Sequence, residues 1–137
     1  MTCKSMIFTV NNTNASITVT DDVPIQIPFG SIIRRFGKYL NSDGGSILCY
    51  DSGYFDINAS ITLSPVAADP ITIQLYQDGV AIPGAFATAT PVAAGDPVTL
   101  PIKALVRNCG CGCSSVLLAK VNASCTINNF ACTVEKQ

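Results

Sequence analysis

Three cysteines at alternate positions, Cys109-x-Cys111-x-Cys113, come nearest to a chemical site in this chain. Thiolates bind zinc, and a structural zinc site needs four sulfur or nitrogen donors in a tetrahedron, so Cys125 or Cys49 would have to supply the fourth. The spacing is not that of the common Cys-x₂₋₄-Cys pairs, and there is no histidine to complete a mixed set. The other readings are disulfides formed after release into an oxidising medium and plain thiols, of which plain thiols are preferred. Seven cysteines is an odd number, so at least one is free or pairs between chains. No cofactor is expected.

The remaining reactive residues point away from catalysis. Without histidine, a serine or cysteine lacks its commonest general base, and no Gly-x-Ser-x-Gly elbow is present. Asp51, Asp69, Asp78 and Asp96 stand beside Gly, Ser or Pro, where an aspartate caps a turn, and Asp56 lies within a strand pattern. There is no acidic dyad to expect and no Asp-x-Asp-x-Asp-Gly calcium loop. Asn-x-Ser/Thr occurs at Asn11, Asn14, Asn58 and Asn122, which reflects richness in Asn and Ser. Arg34 and Arg35, with Lys38, form the only positive cluster. They read as a docking patch for an acidic partner such as a capsid surface, as a solvated loop flanking a strand, or as Arg34 set between subunits against a carboxylate, the last being preferred.

These residues need a scaffold, and its period is that of strands. From Gly53 to Leu63 side chains alternate, with Phe55, Ile57 and Ile61 on one face and Asp56, Asn58, Ser60 and Thr62 on the other. This predicts a central antiparallel strand with one face buried. Ile71 to Tyr76 predicts a second strand, and Asp78-Gly79 the positive-φ turn that folds Val80 to Ile82 back on it. Pro83-Gly84 is expected to turn the chain again. Further strands are expected at Met6–Val10, Ser16–Thr20, Ile47–Tyr50, Ala85–Thr90, Val98–Leu105, Val116–Val121 and Thr126–Val134. Pro24 and Pro28 confine the segment between them to a sheet edge. Short strands punctuated by Gly, Pro, Asn and Asp, with no helical periodicity, predict an all-β antiparallel sandwich or jelly roll in one domain, residues 1–137.

Composition bounds the partners. Charged residues are 12% of the 137, against roughly 25% in an average soluble domain, while 48% are hydrophobic. So few charges predict that much of the surface is covered by other copies. A net charge of −1 provides no field for nucleic acid and no polybasic membrane patch, and no run is long enough to span a bilayer. The first residues lack the apolar core of a secretory signal, so synthesis and retention in a cytoplasm are expected.

The segment Gly53-Tyr54-Phe55-Asp56-Ile57-Asn58-Ala59-Ser60 resembles a strand of the tumour-necrosis-factor and complement-type jelly rolls, and Ile73 to Val80 resembles their following hairpin. Along nearly its whole length the chain is similar to short proteins encoded beside capsid genes in tailed phages and prophages of Gram-positive bacteria. The shared segments are Ile32-Ile33-Arg34-Arg35-Phe36-Gly37, the Gly53 strand, Leu75 to Ala85, and Val134-Glu135-Lys136. The cysteine-rich loop is this chain's departure from them. The resemblance implies a homotrimeric jelly roll displayed on a virion surface as a capsid decoration or head-fibre protein. Its partners would be itself and the major capsid protein or another virion protein.

Phe55, Ile57, Ile61, Ile73 and Leu75 are expected in the core. Tyr54 and Tyr76 are expected at the trimer seam or just under it, where an aromatic with a polar tip fits, with Arg34 and Arg35 as further interface or docking residues. Two rivals compete with this reading. One is a receptor- or glycan-binding adhesin at a fibre tip, although Asn41–Ser46 and Ala93–Pro97 are small and featureless. The other is a surface appendage subunit cross-linked through cysteines.

Overall fold

The fold is a sandwich of two antiparallel sheets, seen in a computed structural model that describes residues 5–21, 23–50, 52–108 and 114–137. Its strands are β1 (Met6–Asn11), β2 (Ala15–Ile17), β3 (Ile25–Ile27), β4 (Ser31–Phe36), β5 (Leu40–Ser42), β6 (Ile47–Tyr50), β7 (Gly53–Pro65), β8 (Ile71–Gln77), β9 (Val80–Ala89), β10 (Val98–Asn108), β11 (Ser114–Val121) and β12 (Cys125–Lys136). No helix occurs among the described residues. One sheet runs β10-β7-β12-β1-β4, with β2 also on β12; the other runs β5-β6-β11-β8-β9, with β3 also on β11.

The alternation from Gly53 to Leu63 works as the sequence suggests. β7 lies between β10 and β12, and Phe55, Ile57, Ala59, Ile61 and Leu63 are buried while Tyr54, Asn58 and Ser60 face out. Ile71, Ile73 and Leu75 enter the same core from the opposite sheet, and one cluster of buried apolar residues joins the two layers. Each fully buried side chain of this size contributes on the order of 1.5–3 kcal/mol of transfer free energy. Proline-flanked β3 pairs only with β11, as the missing N–H groups require.

The Asp78-Gly79 turn closes β8 onto β9 with positive φ at both residues, 52° and 82°, as a type I′ turn demands. Asp78 also accepts a bond from the Val116 amide at 2.9 Å, which ties the hairpin to β11. Pro83-Gly84, expected to turn the chain, does not. β9 continues through it in a bulge opposite Leu75, with Gly84 at φ 77°. The Gln74 amide holds this bulge, donating to the carbonyls of Ile82 at 3.0 Å and Ala85 at 3.2 Å. A side chain thus replaces ladder bonds that Pro83 cannot make.

Other boundaries differ from expectation. The Arg34-Arg35 segment is an edge strand, β4, with a bulge at Ile33, and not a loop. The strand expected over Ser16–Thr20 is only β2, three residues on the end of β12. Leu40–Ser42 pairs with β6, so the loop that follows is shorter than read.

Candidate assembly face

The outward side of the β10-β7-β12-β1-β4 sheet gathers the side chains that the core leaves out. Cross-strand register sets them in rows, because directly opposed residues share a face. One row runs Phe36, Met6, Glu135, Asp56, Leu105 from β4 to β10. The next runs Arg34, Phe8, Thr133, Asn58, Lys103, and a third runs Ser31, Val10, Ala131, Ser60, Pro101. Tyr54 extends the face beyond Asp56, opposite Arg107.

The middle of this face is made of small residues, and larger ones rise around it. The result is a shallow trough of about 540 Å³ lined by Phe8, Asn58, Ser60, Pro101, Lys103, Ala131 and Thr133. A neighbouring trough of about 510 Å³ is lined by Tyr54, Asp56, Lys103, Leu105 and Gln137, so Lys103 forms a wall of both. Exposed apolar side chains stand at the margins: Leu105 at 60%, Phe36 at 55% and Tyr54 at 50% accessibility. A face with hollows at its centre and apolar knobs at its rim is shaped to meet another surface.

The structure separates the residues that the sequence placed together. Arg34 lies on this face, and among the described residues its guanidinium donates only to the carbonyl of the preceding Ile33, at 2.9 Å. Arg35, opposite buried Ile7, points to the other side of β4 and donates to the Leu40 carbonyl at 2.6 Å. Tyr54 belongs to the face. Tyr76 does not: it is on β8, outward on the opposite sheet, with Lys120 Nζ 4.9 Å from its ring centre. Phe8, Lys103, Leu105 and Glu135 were missed, although the alternation Lys103-x-Leu105-x-Arg107 was the available signal.

The cysteine loop, Cys109, Cys111 and Cys113, lies outside the described residues. Its stems are pinned: Ser115 donates to Asn108 Oδ1 at 2.6 Å, and Asn108 donates to the Cys49 carbonyl at 3.3 Å. Cys125 follows the far end of β11 from Ser114, about 25 Å away at the rise of an antiparallel strand. Burial pushes the thiols up, Cys49 and Cys132 to about 12 and Cys125 to about 11, with Asp78 adding to Cys49 and Cys49 to Cys132. They are buried in the core, where the thiol and not the thiolate is favoured. Among the described residues no group of three or more Cys, Asp or Glu is placed to hold a metal ion.

The loop at Asn41–Ser46 is structural as well. Asp43 Oδ1 accepts from the Ser46 amide at 2.8 Å, the Gly45 amide at 3.0 Å and the Ser46 hydroxyl at 3.1 Å. Those bonds, the Ser46 amide foremost, hold its carboxyl below the usual carboxylate range. Through Oδ1 the carboxylate serves its own turn.

No family model matches this chain, and no curated protein matches it. Solved structures do. Murine APRIL aligns with a TM-score of 0.69 at 10% identity, over 98% of this chain and 99% of that one. The globular domain of zebrafish complement 1qA protein aligns at 0.67 and 9%, covering 97% and 96%. PRD1 vertex protein P5 aligns at 0.64 and 11%, also covering 97% and 96%. The fold is the tumour-necrosis-factor and complement-type jelly roll. At such identities the backbone path is shared and the surface is not.

Proposed function

We propose that this protein is a non-catalytic virion subunit that assembles as a homotrimer through the β10-β7-β12-β1-β4 face and is displayed on a phage particle. The observation that carries the reading is the face itself. Phe8, Phe36, Tyr54 and Leu105 are gathered on one side of one sheet in a chain with only 12% charged residues. Covering such a face by copies of itself removes apolar area from water at about 25 cal/mol per Å². The likeness to PRD1 vertex protein P5 supports a virion role, and so does the similarity in sequence to short proteins encoded beside capsid genes of tailed phages. On this reading the host is a Gram-positive bacterium, the subunit is made in its cytoplasm, and the further partner is the major capsid protein or another virion protein.

The rivals fare worse on particular residues. A cysteine-linked appendage cannot use Cys49, Cys125 or Cys132, which are buried. A fibre-tip adhesin would need free polar groups on the Asn41–Ser46 loop, where Asp43 is committed to its own turn. Light scattering on the purified, unreduced protein tests the proposal. A mass of three protomers, followed by co-sedimentation with capsids, supports it; a monomer at all concentrations overturns it.

A further inference from the structure

The assembly face carries its charges in a pattern that one copy leaves unresolved. Asp56 and Glu135 are directly opposed across the β7–β12 pair, both half-buried and both on the outward side. Like charges in that position oppose each other. Along their row the neighbours are apolar, Leu105 on one side and Met6 then Phe36 on the other. Cations facing the same way occur one row along, Arg34 on β4 and Lys103 on β10, with Arg107 beside Tyr54; β1 contributes none. No ion pair joins these groups among the described residues.

Once Leu105 and Phe36 are covered, the two carboxylates lose water, and desolvated charge is costly unless a partner charge meets it with good geometry. Arg34 is placed to be that partner. It sits on β4, which among the described residues pairs with β1 alone and forms one edge of the sheet, so its side chain can reach beyond its own chain. A guanidinium also matches two carboxylates better than an ammonium, since its planar fork offers paired donors.

Resting on the self-assembly reading above, we infer that Arg34 of each copy enters the Asp56–Glu135 pair of the next. The contact is head-to-tail: the edge of one face meets the centre of another, and in a trimer three such contacts close a ring. The apolar knobs supply the area, and the ionic contact supplies the register.

Charge exchange tests this. Arg34→Glu is expected to weaken assembly at least tenfold in a dilution series followed by light scattering, and Glu135→Arg is expected to do the same. The double variant Arg34→Glu with Glu135→Arg is expected to recover most of the trimer. Arg35→Glu, on the other side of the strand, should leave the mass unchanged. Circular dichroism and melting of each variant separate loss of assembly from loss of fold. An Arg34→Glu protein that stays trimeric at every dilution, or a double variant no better than the singles, overturns the pairing while leaving the trimer intact. A monomeric parent protein overturns both.

Discussion

Phe29 and Phe130 meet inside the sandwich with ring centroids 5.0 Å apart and planes tilted by 35°. Phe130 belongs to β12, whereas Phe29 lies on the segment that crosses from β3 in one sheet to β4 in the other. The contact therefore anchors the crossing at the core, and both rings are buried. Replacing either ring by alanine is expected to cost about 3–5 kcal/mol. In a double-mutant cycle the pair should show a coupling of about 0.5–1.5 kcal/mol. Urea unfolding of the two single variants and the double variant checks both figures; strict additivity would deny the contact any energy of its own.

Gly30 is the position where the backbone tolerates no side chain. Its φ is 93°, and a Cβ there would stand 2.3 Å from the Val10 carbonyl oxygen and 2.8 Å from Asn11 Cα. These are backbone atoms of the strand that β4 pairs with, so they cannot move without breaking the ladder. Gly30→Ala is expected to destabilise by about 3 kcal/mol or more. Gly79→Ala, in open space at φ 82°, should cost less. Melting temperatures of the two variants should rank in that order.

The Thr9 hydroxyl is buried without a hydrogen-bond partner. Valine has the same shape and no hydroxyl, so Thr9→Val is expected to stabilise the fold by about 1 kcal/mol. Thr9→Ser keeps the orphan oxygen and loses a methyl, and it should destabilise. Denaturant midpoints that moved the same way for both variants would contradict the assignment.

The buried thiols make the protein sensitive to alkali. In the folded state Cys49 and Cys132 are held protonated up to about 12 and Cys125 up to about 11, against an ordinary value of 9.0. The unfolded chain releases these protons first. Their contribution is therefore complete below pH 9 and is lost as the pH climbs toward 12, at about 1.4 kcal/mol per unit for each thiol. Urea midpoints at pH 8, 10 and 11 should fall progressively. At pH 8, alkylation of Cys49, Cys125 and Cys132, read by mass spectrometry, should be far slower in the folded protein than in urea.

Much of the architecture was legible in the chain because strand alternation is a local property. A period of two over Gly53 to Leu63 identified both β7 and its buried face, and Asp78-Gly79 identified a hairpin whose φ values only such residues accept readily. What stayed hidden depends on distant atoms. Pro83-Gly84 looks like a turn until the Gln74 amide is placed against Ile82 and Ala85. Arg34 and Arg35 look like one patch, yet the pleat sends them to opposite sides of β4.

The sequence by itself determined the all-β class, the core residues of β7 and β8, and the lack of a histidine for nucleophilic catalysis. These follow from composition and from the rule that neighbouring side chains on a strand point opposite ways. The tertiary structure alone decided which surfaces coexist. Cross-strand register brought Asp56 against Glu135 from 79 positions away and set Tyr54 and Tyr76 on different sheets. Turn residues and alternation set the register of neighbouring hairpin strands, whereas the pairing of strands as distant in sequence as β7 and β12 is decided by the packing of the whole sandwich.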